Sequence, residues 1–225
     1  MTQPKLRRNN DRPLQHSDGS SCNECRLFSI CVLPAMRSES ADAAAAFQPL
    51  ATLDPGDFLF RREADFTHLY AVREGILVRW QSRGPDAGTV VGFYLPGDIA
   101  GLGGFANGYY RFSVTAVKPA VVCPVDWSVL EAANLHHSVR ALYKAMGRQA
   151  ALDGEQSRYL KRFDPREKVQ TCIASLAHRR PRVASEGIDR LRLDASLIAN
   201  HLAVSVEEVC RWAPVDPDGQ ITLRY

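Results

Sequence analysis

Leu69-Tyr70-Ala71-Val72-Arg73-Glu74-Gly75-Ile76-Leu77-Val78-Arg79-Trp80 is a pair of apolar, β-branched and aromatic runs hinged at a glycine. Such runs favour extended backbone, and Gly75 supplies the turn between them. The same punctuation recurs on both sides. Upstream, Pro55-Gly56-Asp57 precedes Phe58-Leu59-Phe60. Downstream, the second run ends in Arg83-Gly84-Pro85-Asp86, Thr89 to Leu95 ends in Pro96-Gly97-Asp98, and Phe112 to Val117 stops at Lys118-Pro119. Short strands at near-regular spacing, from Phe47 to about Val125, predict an antiparallel β-roll or barrel.

Helices are expected around it. A short one is read over 39–46 and a long one from Ser138 to Leu160, with an entry as early as Asp126. Val139, Tyr143, Met146, Ala150, Asp153, Ser157 and Leu160 recur along the long helix at alternating spacings of four and three. That is the stripe of a coiled-coil seam, narrower than the face of a helix lying on its own core, and it predicts a homodimer. Asp164-Pro165 marks a hinge and a new helix over 166–180, since proline suits the first helical turn. Asp194 then opens an apolar helix, Ala203-Val204 forms a turn, and Ser205 with Glu208 has the spacing of a capping box. Two short helices joined by a tight turn predict a helix-turn-helix. The fold class is therefore α+β, in four segments: 1–46, 47–137, 138–163 and 164–225.

At 225 residues, 45% hydrophobic and 24% charged, the chain has the composition of a soluble globular protein. No apolar run reaches membrane-span length, and residues 1–21 read as a polar, flexible leader without a secretory h-region. A cytoplasmic protein with reduced thiols is expected, with no membrane partner. Net charge is only +3, but residues 157–192 hold ten basic side chains against four acidic, a footprint compatible with nucleic acid. Residues 193–225 reverse the balance, with two basic and five acidic. No Ser/His/Asp or paired-carboxylate arrangement emerges, and the adjacent His136 and His137 read as a helix-surface pair, so no enzyme is expected.

The leader carries Cys22-Asn23-Glu24-Cys25-Arg26-Leu27-Phe28-Ser29-Ile30-Cys31, and a lone Cys123 stands in the apolar run 120–124. Three local thiolates and one distant one make a four-sulfur site that closes when the leader folds back. Soft sulfur donors suit an iron–sulfur cluster or zinc, with disulfides as the remaining alternative. Arg26, next to the second thiol, is a cation placed to tune such a centre.

Cysteine-bearing leader, β-roll, seam helix and C-terminal helix-turn-helix together resemble the CRP/FNR family of transcription regulators, over nearly the whole chain. The Cys-x2-Cys-x5-Cys segment resembles the oxygen-responsive FNR branch. That resemblance implies a [4Fe–4S] cluster on Cys22, Cys25, Cys31 and Cys123, with zinc as the competitor, and a homodimer that binds DNA when the cluster is intact. RNA polymerase or another regulator is the further partner it implies. Cys172 and Cys210 lie outside the pattern and read as buried helical cysteines. Relatives that bind cyclic nucleotides carry a Gly-Glu-Leu run followed by Arg-Ser. Here Ile99-Ala100-Gly101-Leu102-Gly103-Gly104-Phe105 lacks the glutamate, and Arg111-Phe112-Ser113 displaces the phosphate partners. No cyclic nucleotide is expected.

By the same resemblance, the DNA-binding residues are the capping Ser205 and, on the Glu-x-x-Ser-Arg reader pattern, Glu207, Cys210 in place of serine, and Arg211. Arginine pairs with guanine and glutamate accepts from cytosine. Ala203 stands where the family often has glycine. Ala213-Pro214 ends the reader early, and Val215-Asp216-Pro217-Asp218-Gly219 leads straight to Gln220-Ile221-Thr222-Leu223-Arg224, which resembles the last wing strand. The winged module therefore reads as truncated. The expectation is a redox- or oxygen-sensing transcription regulator. Its alternatives are a cluster sensor whose degraded reader acts through protein contacts and a zinc-stabilised regulator.

Overall fold

In the computed structural model the chain is described at residues 15–17, 22, 25–31, 33–36, 46–82, 88–132, 136–179 and 191–223. The short helix read over 39–46 falls outside these apart from its last residue, Ala46. Two compact units divide the chain, residues 1–145 and 146–225.

The first unit is built from antiparallel strands: β1 (Gln15–Ser17), β2 (Leu50–Leu53), β3 (Phe58–Phe60), β4 (His68–Glu74), β5 (Leu77–Ser82), β6 (Gly88–Tyr94), β7 (Ile99–Ala100), β8 (Ser113–Ala116) and β9 (Ala120–Asp126). They form a five-stranded sheet in the order β1-β2-β9-β4-β7 and a four-stranded sheet in the order β3-β8-β5-β6. Tyr70, Val72, Leu77, Tyr110, Val114 and Val122 fill the space between the sheets. Leu69, Ala71 and Val125 belong to a second buried cluster with Leu33, Leu130, Ala141 and Ala145. β4 is thus covered on both faces, and its core residues form a continuous apolar run.

The two Pro-Gly-Asp turns expected from sequence share one device. Asp57 Oδ2 accepts from Asp54 N at 3.0 Å and Asp98 Oδ2 from Leu95 N at 2.8 Å, each carboxylate closing its own turn. Gly75 has φ +82°, and a Cβ there would lie 2.3 Å from the Pro119 carbonyl oxygen, so only glycine fits between β4 and β9.

One expectation needs correction. The leader is not wholly without structure, because Gln15–Ser17 pairs with Leu50–Thr52 as the outermost strand of the larger sheet. An edge ladder needs backbone N–H and C=O groups rather than apolar side chains, so a polar segment can add to it unannounced.

α1 (Leu33–Met36), α2 (Trp127–Ala132) and the start of α3 (His136–Leu160) complete this unit. The second unit holds the rest of α3, α4 (Pro165–Arg179), β10 (Arg192–Asp194), α5 (Ala195–Leu202), α6 (Val206–Trp212) and β11 (Gln220–Thr222). Its core contains Val169, Leu176, Leu193, Ile198, Leu202, Val209 and Ile221. On α3, Val139, Tyr143 and Met146 are 44%, 68% and 42% exposed, while Ala141 and Ala145 are buried against the roll. Ala150 and Ser157 are exposed and Asp153 and Leu160 half-buried.

Candidate functional site

Cys22 to Cys31 coils through successive tight turns. Cys22 C=O accepts from Cys25 N at 3.0 Å, Cys25 C=O from Phe28 N at 2.9 Å, and Leu27 C=O from Cys31 N at 2.8 Å. Three apolar side chains seat this coil on the roll. Leu27 and Leu33 are buried at 3% and 1% exposure, and a Cβ on Gly97 would meet Ile30 Cδ1 at 3.1 Å. Apolar anchors at these intervals bring the three thiols down beside β9, where Cys31 and Cys123 pack on the same outer core cluster.

Burial first, and then Cys31, Cys25 and Cys22, push the Cys123 thiol up to about 12. Arg73 opposes them. Arg26, singled out from sequence, is exposed on the coil. All four cysteines are half-buried and none is in a disulfide. Among the described residues no three His, Cys, Asp or Glu side chains stand at metal-holding spacing.

The inside of the roll is occupied by protein. Phe60 and Tyr110 stack with ring centroids 3.9 Å apart, Phe60 and Tyr70 lie 5.8 Å apart, and the Tyr110 hydroxyl donates to the His68 carbonyl at 2.9 Å. Gly104 in the expected ribose segment is pressed on Phe66, whose ring would lie 2.3 Å from a Cβ there, and Arg111 is exposed.

In the second unit Asp194 caps α5, accepting from Ser196 N at 2.7 Å. Ala203 then turns the chain with φ 53° and ψ 47°, the left-handed conformation the sequence comparison with glycine implies. Ser205 Oγ accepts from Glu208 N at 3.1 Å while Glu208 Oε2 accepts from Ser205 N at 3.0 Å, the reciprocal capping box. Ser205 thus spends its hydroxyl on the helix start. Glu207, Cys210 and Arg211 are exposed, and their spacing puts them on one face of α6, opposite buried Val209. Cys172 is buried as expected, but Cys210 is not, because it stands on the solvent face one position after Val209. α6 stops at Trp212, and Ala213 leaves the helix with φ −120° and ψ 150° before Pro214. β11 returns to pair with β10, and Val215 bridges Ile221.

Sequence reasoning overcounted the free cations here. Arg162 pairs with Glu167, Arg166 stacks over the Trp212 ring at 5.3 Å, Lys168 Nζ donates to the Leu202 carbonyl at 3.4 Å, and Arg192 pairs with Asp216. Arg158 and Lys161 are exposed. Arg180, Arg182 and Arg190 lie outside the described residues.

The cyclic nucleotide-binding domain family matches residues 50–134. Transcriptional activator protein Anr of Pseudomonas protegens is 29% identical over 216 residues, covering 94% of this chain and 85% of its own length. The fumarate and nitrate reduction regulatory protein of Escherichia coli is 21% identical over 197 residues, covering 84% and 78%. The structure of FixK2 from Bradyrhizobium japonicum superposes with a TM-score of 0.66 at 19% identity, over 80% of this chain and 93% of that one. These similarities support a transcription regulator of the CRP/FNR family, FNR-like. The protein has the antiparallel roll with helices added to it. Among its described residues no helix is long and apolar enough to cross a membrane.

Proposed function

We propose that this protein is a transcription regulator of the FNR type, governed by a [4Fe–4S] cluster on Cys22, Cys25, Cys31 and Cys123. One observation carries the reading: Cys31, at the end of the N-terminal coil, and Cys123 of β9 pack against the same buried cluster. The donor set fits, being four soft sulfurs on two segments that the coil's apolar anchors help to bring together. When bound, such a cluster supplies a redox- and oxygen-sensitive link between the coil and the roll.

The chain's own residues do the rest. Leu27, Ile30 and Leu33 seat the coil, so a change at the thiols loads the surface beside α3. The exposed Val139, Tyr143 and Met146 face supports a homodimer seam continuing through Ala150, Asp153, Ser157 and Leu160. Glu207, Cys210 and Arg211 are the reader residues for DNA. The Phe60, Tyr70 and Tyr110 stack supports a roll that takes no cyclic nucleotide.

Anaerobic purification with iron, sulfide and zinc analysis tests the centre. Wild-type protein should carry iron and sulfide in equal amounts, and each Cys→Ser variant should lose them. Iron retained in Cys123→Ser overturns the four-thiol assignment, and zinc in place of iron favours the zinc-stabilised regulator.

A second reading has its own support. α6 is short, ends at Trp212, and lies in a segment with two basic and five acidic residues. These features favour a reader that needs a partner protein. Selection from a random DNA pool by cluster-loaded protein separates the two: a palindromic site lost in Arg211→Ala supports the ordinary regulator, and no enrichment supports action through protein contact.

A further inference from the structure

Arg73 stands in a break of the β4–β9 ladder next to the cysteine centre. Ala71 is the cross-strand partner of Cys123 and Val72 of Val122, but the register then slips, so that Glu74 rather than Arg73 faces Val121. Arg73 is the extra residue of a β-bulge, a device that re-aims a side chain out of the ladder. The faces are set on either side of it. Val72 and Val122 point into the roll, whereas Ala71 and Cys123 belong to the outer cluster. Alternation along the strand therefore sends Arg73 to the outer face, beside Cys123. The bulge cannot relax, because Gly75 is pressed against Pro119 and Ala120 at the mouth of β9. Arg73 is half-buried.

We propose that Arg73 is the charge-balancing residue of the cysteine centre, a fixed cation that favours the metal-bound thiolates over the protonated thiols. The inference rests on the four-thiol reading above. Its physics is a charge count. Four neutral thiols that release four protons to solvent and take up a dication leave a net charge of about two negatives at the site, for a [4Fe–4S] core and for a single divalent ion alike. A guanidinium held alongside stabilises that product and leaves the neutral starting state almost untouched. The same charge raises the potential of a bound cluster, because reduction adds a further negative charge. Arg73 is a positioning residue in this scheme and ligates nothing.

The test uses Co2+ and the full-length, reduced, metal-free protein under anaerobic conditions. Cobalt affinity is read from thiolate-to-cobalt absorption in competition with a chelator, for wild type, Arg73→Gln and Arg73→Lys. Arg73→Gln should bind about tenfold more weakly, and Arg73→Lys should stay within about threefold of wild type. Thermal unfolding of the metal-free variants, expected near wild type, shows that the roll is intact; Arg73→Met replaces the glutamine variant should that one not fold. On cluster-loaded protein, Arg73→Gln should show a lower midpoint potential. Equal cobalt affinity in wild type and Arg73→Gln overturns the inference, as does a lysine variant as weak as the glutamine one. A wild-type protein with no thiolate-to-cobalt absorption overturns the four-thiol reading itself.

Discussion

The Tyr159 hydroxyl lies 2.8 Å from His201 Nε2, joining the last turn of α3 to the helix that precedes the reader. Both residues are only 4% exposed, and their rings meet edge-on at 5.8 Å. Burial holds the Tyr159 hydroxyl well above its ordinary range, with the neighbouring Cys172 adding to the effect. Tyr159→Phe leaves His201 without this partner, and should cost about 1–3 kcal/mol of stability. Urea unfolding of the variant measures it; an unchanged midpoint would show that the hydrogen bond contributes nothing net.

Ala203 carries a backbone conformation that L residues adopt at a cost, φ 53° and ψ 47°. Ala203→Gly relieves about 1–2 kcal/mol of strain and returns about 0.5–1 kcal/mol as unfolded-chain entropy. A net gain of roughly 0.5–1 kcal/mol is expected in denaturant unfolding. A loss of stability would mean that the alanine methyl packs productively in the turn.

Asp153 lies on the face of α3 proposed as the dimer seam, and Gln149 Nε2 donates to its Oδ1 at 3.0 Å. In a parallel helix pair two such carboxylates face each other, and like charges oppose association. Asp153→Ala should therefore dimerise more tightly than wild type without any metal. Sedimentation equilibrium of metal-free protein decides: if wild type is already fully dimeric at low micromolar concentration, the repulsion is irrelevant.

Cys172 sets an alkaline limit on the second unit. Burial pushes its thiol up to about 12, against the partly compensating Tyr159 hydrogen bond and Arg179 charge. The folded value lies above the unfolded one, so this stability is complete below about pH 9 and is lost as pH rises toward 12. The slope for one such group is at most about 1.4 kcal/mol per pH unit. Thermal melts of Cys172→Ala between these limits should fall less steeply than those of wild type.

Much of the fold was legible because its signals are local. Gly75, the two Pro-Gly-Asp turns and the Ser205–Glu208 box each dictate backbone within a few residues, and each stands where the sequence places it. The cysteines stood out as a group because clustered thiols have few uses. Arg73 did not, because its placement depends on a register slip between β4 and β9, and no sequence spacing reveals a bulge. Nor were the ion pairs of Arg162 and Arg192, which cancel charge across a turn and across two strands. Cys210 was misread because neighbouring positions on a short helix differ by about 100° in direction, and one step separates the core from the solvent.

The pairing of Gln15–Ser17 with β2 gives the cysteine segment two moorings, one upstream of Cys22 and one at Leu33. A chain fastened only at its far end would drift from Cys123 once the metal was gone, and would have to search for it again. A hoop fastened at both ends keeps its thiols at a high effective concentration around the fourth, for a closure entropy that was met when the roll folded. On the four-thiol reading proposed above, recharging would be an event within one molecule, with a rate set by the supply of metal and sulfide and independent of how much protein is present. The polar strand at the edge of the sheet would then make the proposed centre a reusable one.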